Sequence, residues 1–156
     1  MVIIKLINSS KEYYGDDYNN NNILEQWKTC VEMADKISER RNNSNNFFLT
    51  LNSALVAFPT IFENDKKILV AIIGLFVSTL WIQSIINYKK LNSYKFQIIN
   101  ELEKKLPSQP FTYEWYILGR GNDKEKYKRF TDIEKLIPKL FIIIYFVLLV
   151  YYIIIK

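Results

Sequence analysis

For chemistry this chain has 16 carboxylates, one thiol and no imidazole. Without histidine, neither a Ser-His nor a Cys-His nucleophile pair can be assembled within one chain, and Cys30 alone cannot complete a thiolate zinc site. Carboxylates can act in pairs as general acid and base, and Glu101/Glu103 and Asp132/Glu134 are spaced closely enough to try. Both pairs alternate with lysines, however, and read as solvated helix faces. None of the acids falls inside an apolar run, where a carboxylate would mark a proton relay. Gly119-Arg-Gly121 lacks the preceding strand that a phosphate-cradling Gly-x-Gly requires, so it reads as a turn. Cys30 reads as a small packing residue on an amphipathic helix, with a redox sensor as the alternative. No enzyme, cofactor or metal centre is expected.

The elements that carry these residues are set by how apolar side chains are grouped. Of the 156 residues 49% are hydrophobic, yet mean hydropathy is only −0.05. The apolar residues are therefore gathered into blocks, which is the pattern of a membrane protein and not of a soluble core. The last block, residues 137–155, carries one charge, Lys139, and at 1.5 Å per residue reaches ~28 Å, about the hydrocarbon thickness. Thr131-Asp-Ile-Glu134 before it has the form of a capping box, and Pro138 falls in the early turns where its missing N–H is tolerated. The middle block, residues 68–86, has no charge. Its Gly74 and Ser78 are four apart, a spacing that lets another helix approach closely.

The first block, residues 47–62, is shorter and more polar. Extended through Asn42–Asn46 it can cross; a re-entrant segment is the competing reading. Thr50, Asn52 and Ser53, with Gln83 of the middle block, then form a polar face that must meet protein or water, because unpaired polar groups in lipid are costly. That face either lines a conduit or bonds helix to helix. Glu63–Lys67 reads as the turn of a tight hairpin between the first two spans.

Proline and glycine are absent from residues 23–58, so 23–62 is expected as one long helix, half cytoplasmic, with the asparagines at 42–46 its weakest point. Residues 68–106 form a second, ended by Pro107 and Pro110. Trp27, Val31 and Ala34 on one and Leu91, Ile98 and Leu102 on the other are spaced to pack as a cytoplasmic stalk. Residues 107–135 form an aromatic and basic segment, in which Phe111–Leu118 caps the stalk or lies at the headgroups; an aromatic ligand box is the alternative. Residues 1–22 are expected to be a flexible segment with no signal peptide, since the apolar start is short and lacks a basic head.

The basic residues set orientation. Of the 21 Lys and Arg, six lie in residues 1–46 and eleven in 87–135, against only Lys66, Lys67 and Lys156 on the other side. The positive-inside rule then puts the N-terminus in the cytoplasm and the C-terminus outside a multi-pass chain in the cytoplasmic membrane. Lys89, Lys90 and Lys95 inside the second span, and Lys126, Lys128 and Arg129 before the third, are placed to meet anionic headgroups at ~1 kcal/mol each.

The segments ILEQWKTCVEMADKISERR (23–41), FFLTLNSAL (47–55), WIQSIINYKKLNSYKF (81–96), LPSQPFTYEW (106–115) and LGRGND (118–123) resemble, in order over about 23–155, the small RipA-type octameric membrane proteins of prokaryotes. The resemblance implies an all-α, ring-like homo-oligomer with three spans in the cytoplasmic membrane. Trp27, Val31, Gly74 and Ser78 are its candidate packing positions. It also implies kinship with membrane effectors of antiviral defence systems, short Argonaute systems among them, which act when a cytoplasmic sensor fires. The function expected is thus a pore-forming or membrane-depolarising effector. A constitutive scaffold supporting envelope homeostasis or stress adaptation is the alternative. Direct nucleic-acid binding is not expected, because no recognised fold or separate basic domain supports it.

Overall fold

The computed structural model describes residues 20–57, 64–123 and 125–154, and these are helical with short connections; no strand occurs among them. The elements are α1 (Asn20–Ala57), α2 (Asn64–Glu103), α3 (Pro110–Ile117), a 3-10 turn (Gly119–Gly121), α4 (Phe130–Glu134) and α5 (Leu136–Ile154). Two stretches among them, Lys66–Glu103 and Phe130–Ile154, are long and apolar enough to cross a membrane.

α1 is continuous through the asparagines at 42–46, where a break was the expected weakness. Tertiary bonds overrule the poor helix propensity of Asn: Asn45 is held by Trp81 and Glu134, and Ser44 by Ser84. The same continuity leaves no re-entrant turn among the described residues. Of the first apolar block, 47–57 is helical and the rest lies outside the described residues. α2 starts at Asn64, so Asn64–Lys67 is a first helical turn and not a hairpin loop; Glu63 lies outside. Of the N-terminal segment expected to be flexible, residues 1–19 lie outside the described residues, whereas Asn20–Asn22 open α1.

The chain divides into two compact units, each drawing on α1 and α2. The first combines residues up to Ile37 with Leu91–Tyr127. Ala34, Ile37, Ile99 and Leu102 are buried there. Phe111 reaches both long helices, with ring centroids 5.8 Å from Trp27 and 5.7 Å from Phe96. The expected stripe on α2 holds at Leu102, which is buried, but not at Leu91, which is 47% exposed, whereas Ile99, next to the stripe's Ile98, is fully buried. A helix turns ~100° per residue, so an inward line through Phe96, Ile99 and Leu102 leaves Leu91 off that line.

The second unit combines Ser38–Lys90 with Lys128–Lys156, described to Ile154. Aromatic rings run through it from α1 to α5: Phe48 stacks on Trp81 at 6.0 Å, Trp81 lies 6.2 Å from Phe141, and Phe141 6.3 Å from Tyr145. Gly74 is buried against the Tyr145 ring, where an added Cβ would collide with it. The small residue at 74 is therefore matched to an aromatic one on α5.

The capping box before α5 does not form. α4 starts at Phe130, its N-cap Arg129 makes no side-chain cap bond, and Thr131 is inside the helix and buried. Thr131 and Glu134 are drawn instead to Arg41 of α1. A tertiary charge partner outcompetes the local cap because it satisfies both the hydroxyl and the carboxylate where water is scarce.

Candidate functional site

Three polar centres hold the helices. The deepest is Asn52, fully buried among apolar side chains of the second unit. Its Nδ2 donates to the Phe48 carbonyl at 2.8 Å and its Oδ1 accepts from Ser78 Oγ at 2.8 Å. Its backbone carbonyl accepts from the Tyr145 hydroxyl at 2.9 Å. One residue thus ties α1 to α2 and to α5, in surroundings where an unpaired amide would be expensive.

The second centre lies two to three turns nearer the N-terminus of α1. Arg41 Nη2 donates to Thr131 Oγ1 at 2.9 Å and forms a close ion pair with Glu134 Oε2. Asn45 Nδ2 donates to the other carboxylate oxygen at 3.0 Å, and Asn45 Oδ1 accepts from Trp81 Nε1 at 2.9 Å. The two charged side chains are 16% and 11% exposed, so solvent screens the pair only in part. Arg41 Nε is buried and finds no acceptor.

The third centre is in the first unit. Glu103, at the end of α2, is fully buried. Its Oε1 accepts from the Phe111 amide at 3.0 Å, and its Oε2 accepts the Thr112 amide at 3.0 Å and the Thr112 hydroxyl at 2.8 Å. A carboxylate from another element thereby caps the N-terminus of α3, satisfying two of its orphan amides and opposing its positive dipole end. Pro110 opens α3, and Gln109 provides no side-chain cap. The solvated reading thus fails for Glu103 and for Glu134. It holds for Glu101, which pairs with Lys104 at 2.6 Å with both side chains 55% exposed.

The expected turn at 119–121 is present in an unusual form. Gly119, Arg120 and Gly121 all have positive φ, at 67°, 54° and 70°. Glycine takes that conformation without strain; Arg120 does not, and its guanidinium lies 5.8 Å from the Tyr116 ring.

The residues singled out in the sequence separate accordingly. Asn52, Gly74 and Ser78 meet inside the second unit, with Ser78 bonded to α1 and Gly74 facing α5. Thr50, Ser53 and Gln83 are exposed on the single chain. Trp27 packs on Phe111 and Val31 is half-buried. Lys90, Lys126, Lys128 and Arg129 are exposed; Lys89 and Lys95 are half-buried, with Lys95 Nζ 3.6 Å from Met33 Sδ. Lys126 Nζ is 3.8 Å from Asp123. No cluster of three metal-ligating side chains occurs among the described residues.

The exteriors of α1 and α5 differ. Along α5, beyond the exposed Lys139 near its start, the exposed side chains are aliphatic or aromatic, Leu140, Ile143, Phe146, Val147 and Val150 among them. α1 exposes a polar line, Glu39, Asn43, Asn46, Thr50 and Ser53, flanked by the exposed apolar Phe47 and Leu49. Long apolar helices with lipid-compatible exteriors, locked together by buried hydrogen bonds, define an α-helical membrane protein. The chain belongs to the octameric membrane protein family (8xMP), whose model matches residues 24–154. Comparison with curated proteins and with solved structures finds no match.

Proposed function

We propose that this protein assembles as a ring-like homo-oligomer in the cytoplasmic membrane and acts without catalysis, as a pore-forming or membrane-depolarising effector. In this reading it serves prokaryotic antiviral defence downstream of a cytoplasmic sensor protein. The observation that carries it is the polar outer face of α1 at Asn46, Thr50 and Ser53, beside an α5 exterior that is apolar. Hydroxyls and amides facing lipid would be costly, so this face turns towards a water-filled axis and α5 towards the bilayer.

α1 is the third span in this proposal. Asn52 bonds Ser78, midway along the charge-free part of α2, and Tyr145, midway along α5. Its depth is thus that of the two apolar helices. Three crossings and the basic residues flanking them put the N-terminus inside and the C-terminus outside. Lys89, Lys90, Lys95, Lys126, Lys128 and Arg129 meet anionic headgroups, and no direct nucleic-acid contact is invoked.

The burial of Asn52 favours a second reading. One of the two amides expected on the conduit is consumed in holding helices together, as in a constitutive scaffold for envelope homeostasis or stress adaptation. Membrane potential separates the two. Induced expression with the sensor triggered should collapse the potential, and Thr50→Leu with Ser53→Leu should abolish the collapse while leaving the native mass of the oligomer unchanged. Intact potential and viability with the unaltered chain would reject the effector.

A further inference from the structure

The exposed face of α1 has a regular spacing that extends beyond the apolar span. Glu39, Asn46 and Ser53 are seven apart, as are Asn43, Thr50 and Ala57, and the two series alternate at intervals of four and three. That is the a/d pattern of a heptad, so these six side chains share one narrow stripe of the helix. All six are exposed, and all belong to one compact unit.

An a/d seam is ordinarily the apolar contact line of a coiled coil. Here its members are amides, hydroxyls, one methyl and a carboxylate, with no leucine or isoleucine to drive dry packing. From Asn43 to Ala57 the stripe is uncharged, and Glu39 is its first charge on the N-terminal side. The two nearest cations are directed elsewhere. Arg41 is consumed by Glu134 and Thr131. Arg40 projects ~100° around the helix from Glu39. Lys36, seven before Asn43, and Glu32, seven before Glu39, continue the two series outward and are exposed; their opposite charges offset each other and leave Glu39 as the excess charge.

We infer that Glu39 is the charge-selecting residue of the conduit, one carboxylate per subunit at its cytoplasmic mouth, and that the permeating species are small hydrated cations. A closed ring repeats each residue around its axis, so a single exposed carboxylate becomes a ring of like charge. Such a ring concentrates cations and repels anions, whereas a neutral amide and hydroxyl lining discriminates little. The inference rests on the conduit proposed above and adds its ionic preference and the residue that sets it.

The test is the reversal potential of the full-length oligomer in planar bilayers of neutral phosphatidylcholine, under a KCl gradient, so that lipid charge contributes no selectivity. The unaltered protein should pass potassium several-fold better than chloride. Glu39→Gln should bring that ratio towards one, and Glu39→Lys should invert it. Asp132→Asn, an exposed acid of α4 outside the stripe, should change it less than Glu39→Gln. Conductance whose ion preference is indifferent to residue 39 would overturn the assignment and leave the conduit standing. Absence of conductance at every voltage would overturn the conduit and the assignment together.

Discussion

The ring of Tyr145 occupies the space that a side chain on Gly74 would need, while its hydroxyl bonds the Asn52 backbone at 2.9 Å. One tyrosine thus closes α5 on α2 by shape and on α1 by a hydrogen bond. Gly74→Ala should therefore lower stability by about 1–3 kcal/mol through overpacking, although alanine is the better helix former. Tyr145→Phe keeps the shape and should lose about 1 kcal/mol. Thermal unfolding of the oligomer in detergent measures both, and a Gly74→Ala midpoint at or above that of the unaltered protein would contradict the packing described.

Ser78→Ala separates bonding from packing at the same depth. It removes the donor to Asn52 Oδ1 and leaves a buried acceptor unpaired, which costs about 1–3 kcal/mol. Thr79→Ala is the control on the next residue: Thr79 is exposed and bonds only the Leu75 carbonyl of its own helix. Its effect should stay within about 0.5 kcal/mol.

The Arg41–Glu134 pair should behave as a coupled unit. Arg41→Leu leaves a largely desolvated carboxylate without its cation, and Glu134→Leu strands the guanidinium. Each single change should cost about 3 kcal/mol, and the double change clearly less than the sum. A double-mutant cycle on unfolding midpoints reads this directly. Additive losses would mean that the two groups do not interact in the assembled protein.

Glu103→Ala should release the start of α3. Two amides lose their acceptor, and the segment from Pro107 onward should become open to protease and to hydrogen exchange at Phe111 and Thr112. The loss should be about 1–2 kcal/mol. Glu103→Gln, which retains one acceptor oxygen, should fall between. Exchange rates at these amides unaffected by Glu103→Ala would refute the cap.

Much of the helical layout was legible in the residue order because its causes are local. The absence of Gly and Pro from 23–58 predicts α1, the charge-free run 68–86 marks the apolar half of α2, and Pro107 and Pro110 bracket the gap before α3. Gly74 meets Tyr145 of α5 and Ser78 bonds Asn52 of α1, two different partners that their spacing does not name. The polar centres were less legible. Glu103 left one weak signal, an acid shortly before a proline-opened helix with no cap residue of its own. Glu134 carried the opposite signal, since it completes a capping-box pattern that the structure does not use.

Sequence alone determined that this chain is helical, that its apolar residues are segregated as in membrane proteins, and which family it joins, because propensity, helix breakers and apolar runs act over a few residues. Tertiary structure alone decided which polar side chains turn inward and which outward. Asn45 and Asn46 are neighbours of one type, yet Asn45 bridges Trp81 and Glu134 and Asn46 is exposed. A rotation of ~100° per residue sends adjacent side chains to different surroundings, and only the packing of the other helices fixes what each one meets.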